Sequence, residues 1–139
     1  MITRVLVPLD GSEMSLRALR YALDNHPDAE ITALHVAGEP SPMMGQALRL
    51  ALEEDIEQAV DELAEEIFEP ARELAAEYDT EIDTAVGVGS PARVIVNRAE
   101  EYDAVVLGTH GGNLQSRLFV GNVADRVFKR SPVPVTVVR

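Results

Sequence analysis

Short apolar runs rich in β-branched residues alternate along this chain with stretches of helical periodicity, and few folds accept that alternation. The strand-like runs are Ile2 to Leu9, Ile31 to Ala37, Glu81 to Val88, Ala104 to Leu107 and Pro134 to Val138. Each is too short for a helix and bounded by Gly, Pro, Asn or Asp. Between them come a helix capped by Ser12 through Leu16, Leu19 and Leu23, and a long helical stretch from Gln46 to Tyr78. A third helix has Ser90 as N-cap and Pro91 at its first position, and runs through Val94, Ile95 and Ala99. A fourth opens at Gly121-Asn122 and runs through Asp125, Val127 and Phe128. The resulting β-α-β-α-β-α-β-α-β order predicts an α/β fold: a five-stranded parallel doubly wound sheet, Rossmann-like, with right-handed crossovers and helices on both faces. The two most uniformly apolar strands, near residues 2–9 and 104–107, belong side by side at the centre. The strand order is then 3-2-1-4-5, with the topological switch point between the first and fourth strands. Ligands of open α/β sheets bind outside the carboxyl ends of strands at that point, where Asp10 and Gly108 lie.

The long helical stretch carries Leu52, Ile56, Val60, Leu63, Ile67, Leu74 and Tyr78 at steps of three and four or their sums, with Glu and Asp opposite. The aliphatic stripe is expected to face the sheet and the acidic face to be solvated. Pro70 is expected to kink or split this helix, because it deletes a backbone bond and clashes with the preceding turn. In the third strand Ile82, Thr84, Val86 and Val88 alternate, which suits a peripheral strand with one better-covered face.

The most chemically suggestive stretch runs from Tyr102 to Arg130. Ala104-Val105-Val106-Leu107 leads into Gly108-Thr109-His110-Gly111, then nine residues, then Gly121-Asn122. Glycine permits backbone conformations and close approaches that a Cβ forbids. A strand end, a glycine-rich loop and a helix N-terminus converge here. Their free amides, with a helix dipole equivalent to about half a positive charge, suit an anion such as a nucleotide phosphate.

Composition narrows the function. The 139 residues suit one domain, and nearly half of them are hydrophobic, enough for a substantial core. Twenty-four Asp and Glu face twelve Arg and Lys, of which only Lys129 is lysine, for a net charge of −12. That balance repels nucleic acid and anionic membranes, so neither is an expected partner. An acidic, lysine-poor surface suits a high-salt cytoplasm, where screening relieves self-repulsion. No cysteine is present, which removes disulfides and thiolate metal sites. Met1 leads directly into a strand pattern, and no apolar run approaches 18 residues, so a soluble cytoplasmic protein is expected.

Gly108-x-x-Gly111-x9-Gly121-Asn122 resembles the ATP-binding signature of the universal stress protein family, G-x2-G-x9-G followed by Ser or Thr. Val5-Leu6-Val7-Pro8-Leu9-Asp10-Gly11-Ser12 resembles that family's first strand and turn. His35-Val36 is similar to its second strand, Gly89-Ser90-Pro91 to its third helix start and Val133-Pro134-Val135 to its closing strand. The similarity spans essentially the whole chain. It implies an adenine nucleotide alpha hydrolase-like fold that binds ATP, ADP or AMP, with Mg or Mn accompanying the phosphates. It also implies a homodimer, and the uncovered closing strand Val133–Val138 is the expected contact. Carried over by position, Asp10, with Pro8 and Leu9 beside it, would lie near the adenosine end, and the backbone of Val36 would lie against adenine. Leu107, Gly108, His110 and Gly111 would follow ribose and phosphates, and Gly121, Asn122 and Val123 would hold the far phosphates.

Each residue also has a plainer explanation: Asp10 can simply stabilise the turn before the first helix. Asn122 departs from the family hydroxyl. With Asp125 it resembles a capping pair that would compete with phosphate, weakening binding or favouring a shorter phosphate chain. Arg117 is a candidate compensating charge.

Other signatures carry less. Gly87-x-Gly89-x-x-Ala92 fits the dinucleotide fingerprint formally, but at the third βα turn and without the acidic residue about 20 positions on. No Walker lysine follows a glycine run, His26, His35 and His110 lack metal-ligand spacing, and there is no G-x-S-x-G elbow. The expected function is therefore a nucleotide-binding stress-response or signalling module with a downstream protein partner. A slow ATPase or phosphotransferase using the same pocket, or a dimeric interaction protein with an empty pocket, are the alternatives.

Overall fold

Five parallel strands pair in the order β3-β2-β1-β4-β5, the order that the alternation predicts. The computed structural model describes residues 1–37, 53–109 and 123–139, with the side chains of 53–57 also outside the description. Strand β1 (Arg4–Pro8) leads to helix α1 (Glu13–Asn25), β2 (Glu30–Ala37) and helix α2 (Glu53–Glu77). Then follow β3 (Asp83–Val88), α3 (Pro91–Ala99), β4 (Ala104–Gly108), a helix over 123–130 designated α4, and β5 (Val135–Val138). Helices α1 and α2 cover one face of the sheet, and α3 and α4 cover the other.

Val5, Leu6 and Val7 of β1 and Val105 and Val106 of β4 are wholly buried, as strands covered on both faces must be. Strand β1 begins two residues later than its apolar run, and Ile2 is exposed. The carboxylate of Asp103 anchors this end: its Oδ2 accepts from the Thr3 amide at 2.9 Å, the Thr3 hydroxyl at 2.8 Å and the Arg4 amide at 3.0 Å. Those hydrogen bonds, led by the Thr3 amide, hold the Asp103 carboxyl below the ordinary aspartate range. Its pKa is lowered by folding, so its stabilisation is present above the unfolded-state value and is lost as pH falls through the folded-state value. Asp103→Asn should therefore melt below the native protein near neutral pH, and the two melting curves should converge in acid. A constant gap across the titration would show that the carboxylate charge is not what holds the N-terminus.

Helix α1 begins as its sequence demands. Ser12 caps it, its hydroxyl accepting from the Ser15 amide at 3.1 Å. Ser90 stands at the N-cap of α3 with Pro91 inside the first turn, but its side chain makes no capping bond. The expectation of a Ser90 cap is right in position and wrong in chemistry.

The long helix departs further from expectation. It runs unbroken through Pro70, so the helix is not split there. Residues 46–52, also expected to be helical, lie outside the described residues. The buried face is Ala64, Phe68, Ala71, Leu74 and Ala75, whereas Leu63 is 51% exposed and Ile67 only partly covered. The stripe is rotated from the aliphatic one because alanines let the helix axis approach the sheet closely, which Leu63 would prevent. Burial of Phe68 and Ala71 on either side of Pro70 holds the helix together across the missing backbone donor. Strand β3 is an edge as expected; Ile82, just before it, and Val86 pack on the α1–α2 side, but Val88 is 63% exposed.

Candidate functional site

The pairing of β1 differs on its two sides. With β2 it extends from Arg4↔Glu30 to Pro8↔Leu34, but with β4 only over Val5↔Ala104 and Leu6↔Val105. Towards their carboxyl ends β1 and β4 therefore part, and a cavity of about 240 Å³ opens at the switch point.

Its walls collect residues distant in sequence. Pro8, Leu9 and Asp10 come from the end of β1, Val36 from β2, Leu107 and Gly108 from β4, and Val123 from the start of α4. These are seven of the eleven site residues that the sequence singles out. The other four, His110, Gly111, Gly121 and Asn122, lie outside the described residues, as does Arg117. The sequence reading gives no site role to Ser12, Ser15, Leu34, Pro91 and Ile95, which also line the cavity. Periodicity marks Ile95 as inward-facing on α3, but it cannot say that this face looks into a crevice as well as a core.

The turn after β1 is rigidly tied. Asp10 Oδ1 accepts from the Ser12 amide at 2.9 Å, and the Ser15 hydroxyl donates to the Ser12 carbonyl at 2.8 Å. Gly11 takes φ +84°, a conformation that costs other residues strain. Asp10 thus stabilises its turn, and its second carboxylate oxygen, without a partner among the described residues, remains available to a ligand. Leu9 is fixed at both polar groups: its amide donates to the Leu34 carbonyl at 2.7 Å, and its carbonyl lies 3.2 Å from His35 Nδ1. His35, a buried residue that no metal or catalytic spacing marks, positions the turn.

Gly108 reads from sequence as a loop glycine, yet its φ is not left-handed. A Cβ there would lie 2.7 Å from the Met14 carbonyl oxygen and 2.9 Å from its carbon. The glycine lets β4 and the first turn of α1 touch beside the cavity, which Gly108, Ser12 and Ser15 line.

Backbone polarity completes the site. Leu34 turns its carbonyl towards β1, and residues two apart on a strand point their amide and carbonyl to the same side. Val36 therefore turns both groups towards the line of β1, past Pro8, where pairing has ended. One donor and one acceptor on a single residue can meet the edge of a planar heterocycle. Asp125, whose charge would oppose phosphate if turned inward, instead pairs with Lys129 at 3.0 Å along the exposed face of α4. Among the described residues no group of three His, Cys, Asp or Glu could hold a metal. None of the described helices is long and apolar enough to cross a membrane.

Comparison with protein families matches residues 1–139 to the Universal stress protein family. The chain belongs to that family. Universal stress protein MJ0531 of Methanocaldococcus jannaschii is 34% identical over 140 residues, covering 98% of this chain and 81% of that protein. Universal stress protein UspA from Lactobacillus plantarum superposes with a TM-score of 0.72 at 26% identity, covering 99% of this chain and 98% of that one. A universal stress protein family protein from Arabidopsis thaliana, crystallised with AMP bound, has a TM-score of 0.65 at 19% identity, covering 98% and 90% of the two chains. This universal stress protein has the sheet order β3-β2-β1-β4-β5 and a cavity at its switch point.

Proposed function

We propose that this universal stress protein binds an adenine nucleotide, ATP or a shorter relative, in the switch-point cavity and acts as a ligand-sensing module of the stress response. The observation that carries the reading is the amide and carbonyl of Val36, directed towards β1 beyond its last pair and without a partner across it among the described residues, beside a cavity that Val36, Asp10, Leu107 and Gly108 line. Apolar walls from Leu9, Leu34, Val36 and Ile95 suit the faces of adenine, and the free Asp10 oxygen suits a ribose hydroxyl. The phosphates would run towards the Gly108–Asn122 segment and the α4 N-terminus. A divalent cation would take its ligands mainly from phosphate oxygens and water, the usual habit of Mg. Hydrolysis needs an oriented water and a general base, and the described lining offers only Asp10, half engaged in its own turn. The module reading therefore stands ahead of an ATPase. Mass spectrometry of small molecules released on denaturing the purified protein tests it. An adenine nucleotide at near-stoichiometric yield supports the proposal; apo protein that also fails to bind added ATP, ADP and AMP removes it.

The partner we propose is a second copy. Strand β5 is an edge, with Val105 donating to Pro134 and Thr109 donating to Val138 on its inner side. By the same alternation Val135 and Val137 turn their amides and carbonyls outward, and two copies about a twofold axis would satisfy both edges. Val137→Pro deletes an outward donor without touching the β4 ladder. Light scattering should report a dimer for the native chain and a shift towards monomer for the folded variant. A native monomer at micromolar concentration contradicts the assembly. The acid-rich, lysine-poor surface supports a high-salt cytoplasm as the setting.

A further inference from the structure

Charge is unevenly distributed in this acidic protein. From residue 104 to the end there is one carboxylate, Asp125, against Arg117, Arg126, Lys129, Arg130 and Arg139. The first 103 residues carry the other 23 carboxylates. Asp125 and Lys129 neutralise each other.

Part of the remaining positive charge is gathered at one place. A groove of about 220 Å³ is lined by α3 and α4 and shares no lining residue with the switch-point cavity, although Ser90 and Ala92 flank Pro91 of that cavity. Arg93 and Asn97, one turn apart on α3, form one wall, and Arg126 and Arg130, one turn apart on α4, form the other. Ala92 and Val96 line it between them, and Ser90 stands at one end with a hydroxyl that makes no cap bond. No acidic side chain lines the groove, and none of the three arginines makes an ion pair among the described residues. Residues 110–122, which lie outside the description, contain no Asp or Glu that could supply one.

Three guanidinium groups that line one groove, with no counter-charge among the described residues, repel one another, and an anion relieves that repulsion. Each guanidinium presents a planar fork of donors matched to pairs of phosphate oxygens, and the Ser90 hydroxyl and Asn97 amide add neutral donors. We propose that this groove is a second anion site, distinct from the nucleotide cavity, that takes a compact multivalent phosphate of pyrophosphate to tripolyphosphate size. Its arginine-rich polar lining, in contrast to the largely apolar walls of the switch-point cavity, favours a bare phosphate chain over a nucleoside.

The test is calorimetric titration of the intact protein with sodium tripolyphosphate, in EDTA to exclude metal, with and without saturating AMP. Binding is expected at unit stoichiometry, to weaken as KCl is raised, and to persist with AMP present. Sulfate should bind at least tenfold more weakly. Arg93→Gln and Arg130→Gln are surface changes that should leave the melting temperature unchanged, and each should weaken tripolyphosphate at least tenfold. AMP affinity should stay within twofold in both. Absence of binding, undiminished binding in both variants, or displacement by AMP would overturn the second site. A protein that takes tripolyphosphate in the groove but never binds AMP would retain this proposal and lose the nucleotide reading, so the two fail separately.

Discussion

Gly108→Ala is expected to lower folding stability by about 1–3 kcal/mol and to weaken nucleotide binding at the same time. The new methyl would sit 2.7 Å from the Met14 carbonyl oxygen, 2.9 Å from its carbon and 3.1 Å from its Cβ. The first two are backbone atoms in the first turn of α1, so no side-chain rotation relieves the clash, and the helix and β4 must separate. That turn is continuous with the Ser12 cap and the Asp10 turn, so its displacement moves a cavity wall. Gly87 is the informative control. A Cβ there meets Val94 Cγ1 at 2.6 Å, a severe clash, but one with a side chain and not with the backbone of a helix. Gly87→Ala should thus lower stability with much less effect on ligand affinity. Urea denaturation and nucleotide titration of the two variants separate these outcomes. Full stability in Gly108→Ala would show that the close approach to α1 is not a constraint.

Phe68→Ala should cost about 3–5 kcal/mol, a large share of the roughly 5–15 kcal/mol by which domains of this kind are stable. Phe68 is 2% exposed and packs in the cluster that joins α1, α2 and the sheet. Truncation leaves a cavity that neighbouring Ala64, Ala71 and Ala75 cannot fill, because their side chains are single methyl groups. Leu63→Ala, one residue before Ala64 and half exposed, should change stability by no more than about 0.5 kcal/mol. Urea midpoints for the pair test the rotated face directly. Equal losses would restore the aliphatic stripe as the buried one.

That rotation marks where sequence ceased to be legible. Strands β1 and β4 declare themselves because burial on both faces leaves little but β-branched and other apolar residues in them, and their central placement fixes the sheet order and the switch point. The Ser12 cap is local chemistry and equally readable. Helix α2 is different: Ala64, Phe68, Ala71 and Ala75 are as periodic as the larger aliphatics, and only the close approach to the sheet selects between two stripes on one helix. Ser90 has the spacing of a cap, but its hydroxyl makes no cap bond and stands at an arginine groove that two helices form only in three dimensions. His35 could not be assigned from spacing, because its role comes from lying beside the Leu9 carbonyl, 26 positions away in sequence. Gly108 was visible as a glycine that mattered, while the atoms it accommodates, in the backbone of Met14, carry no sequence signal.

The central claim is that adenine enters the crevice between the carboxyl ends of β1 and β4. Methyl NMR measures it most directly, with ATP titrated into protein labelled at its Leu, Val and Ile methyl groups. Leu9, Leu34, Val36, Ile95, Leu107 and Val123, which line the cavity, should shift together along one saturable binding curve. Leu74, buried against the opposite face, should stay in place. Saturation with the lining methyls unmoved, or with the shifts gathered elsewhere, would contradict the site.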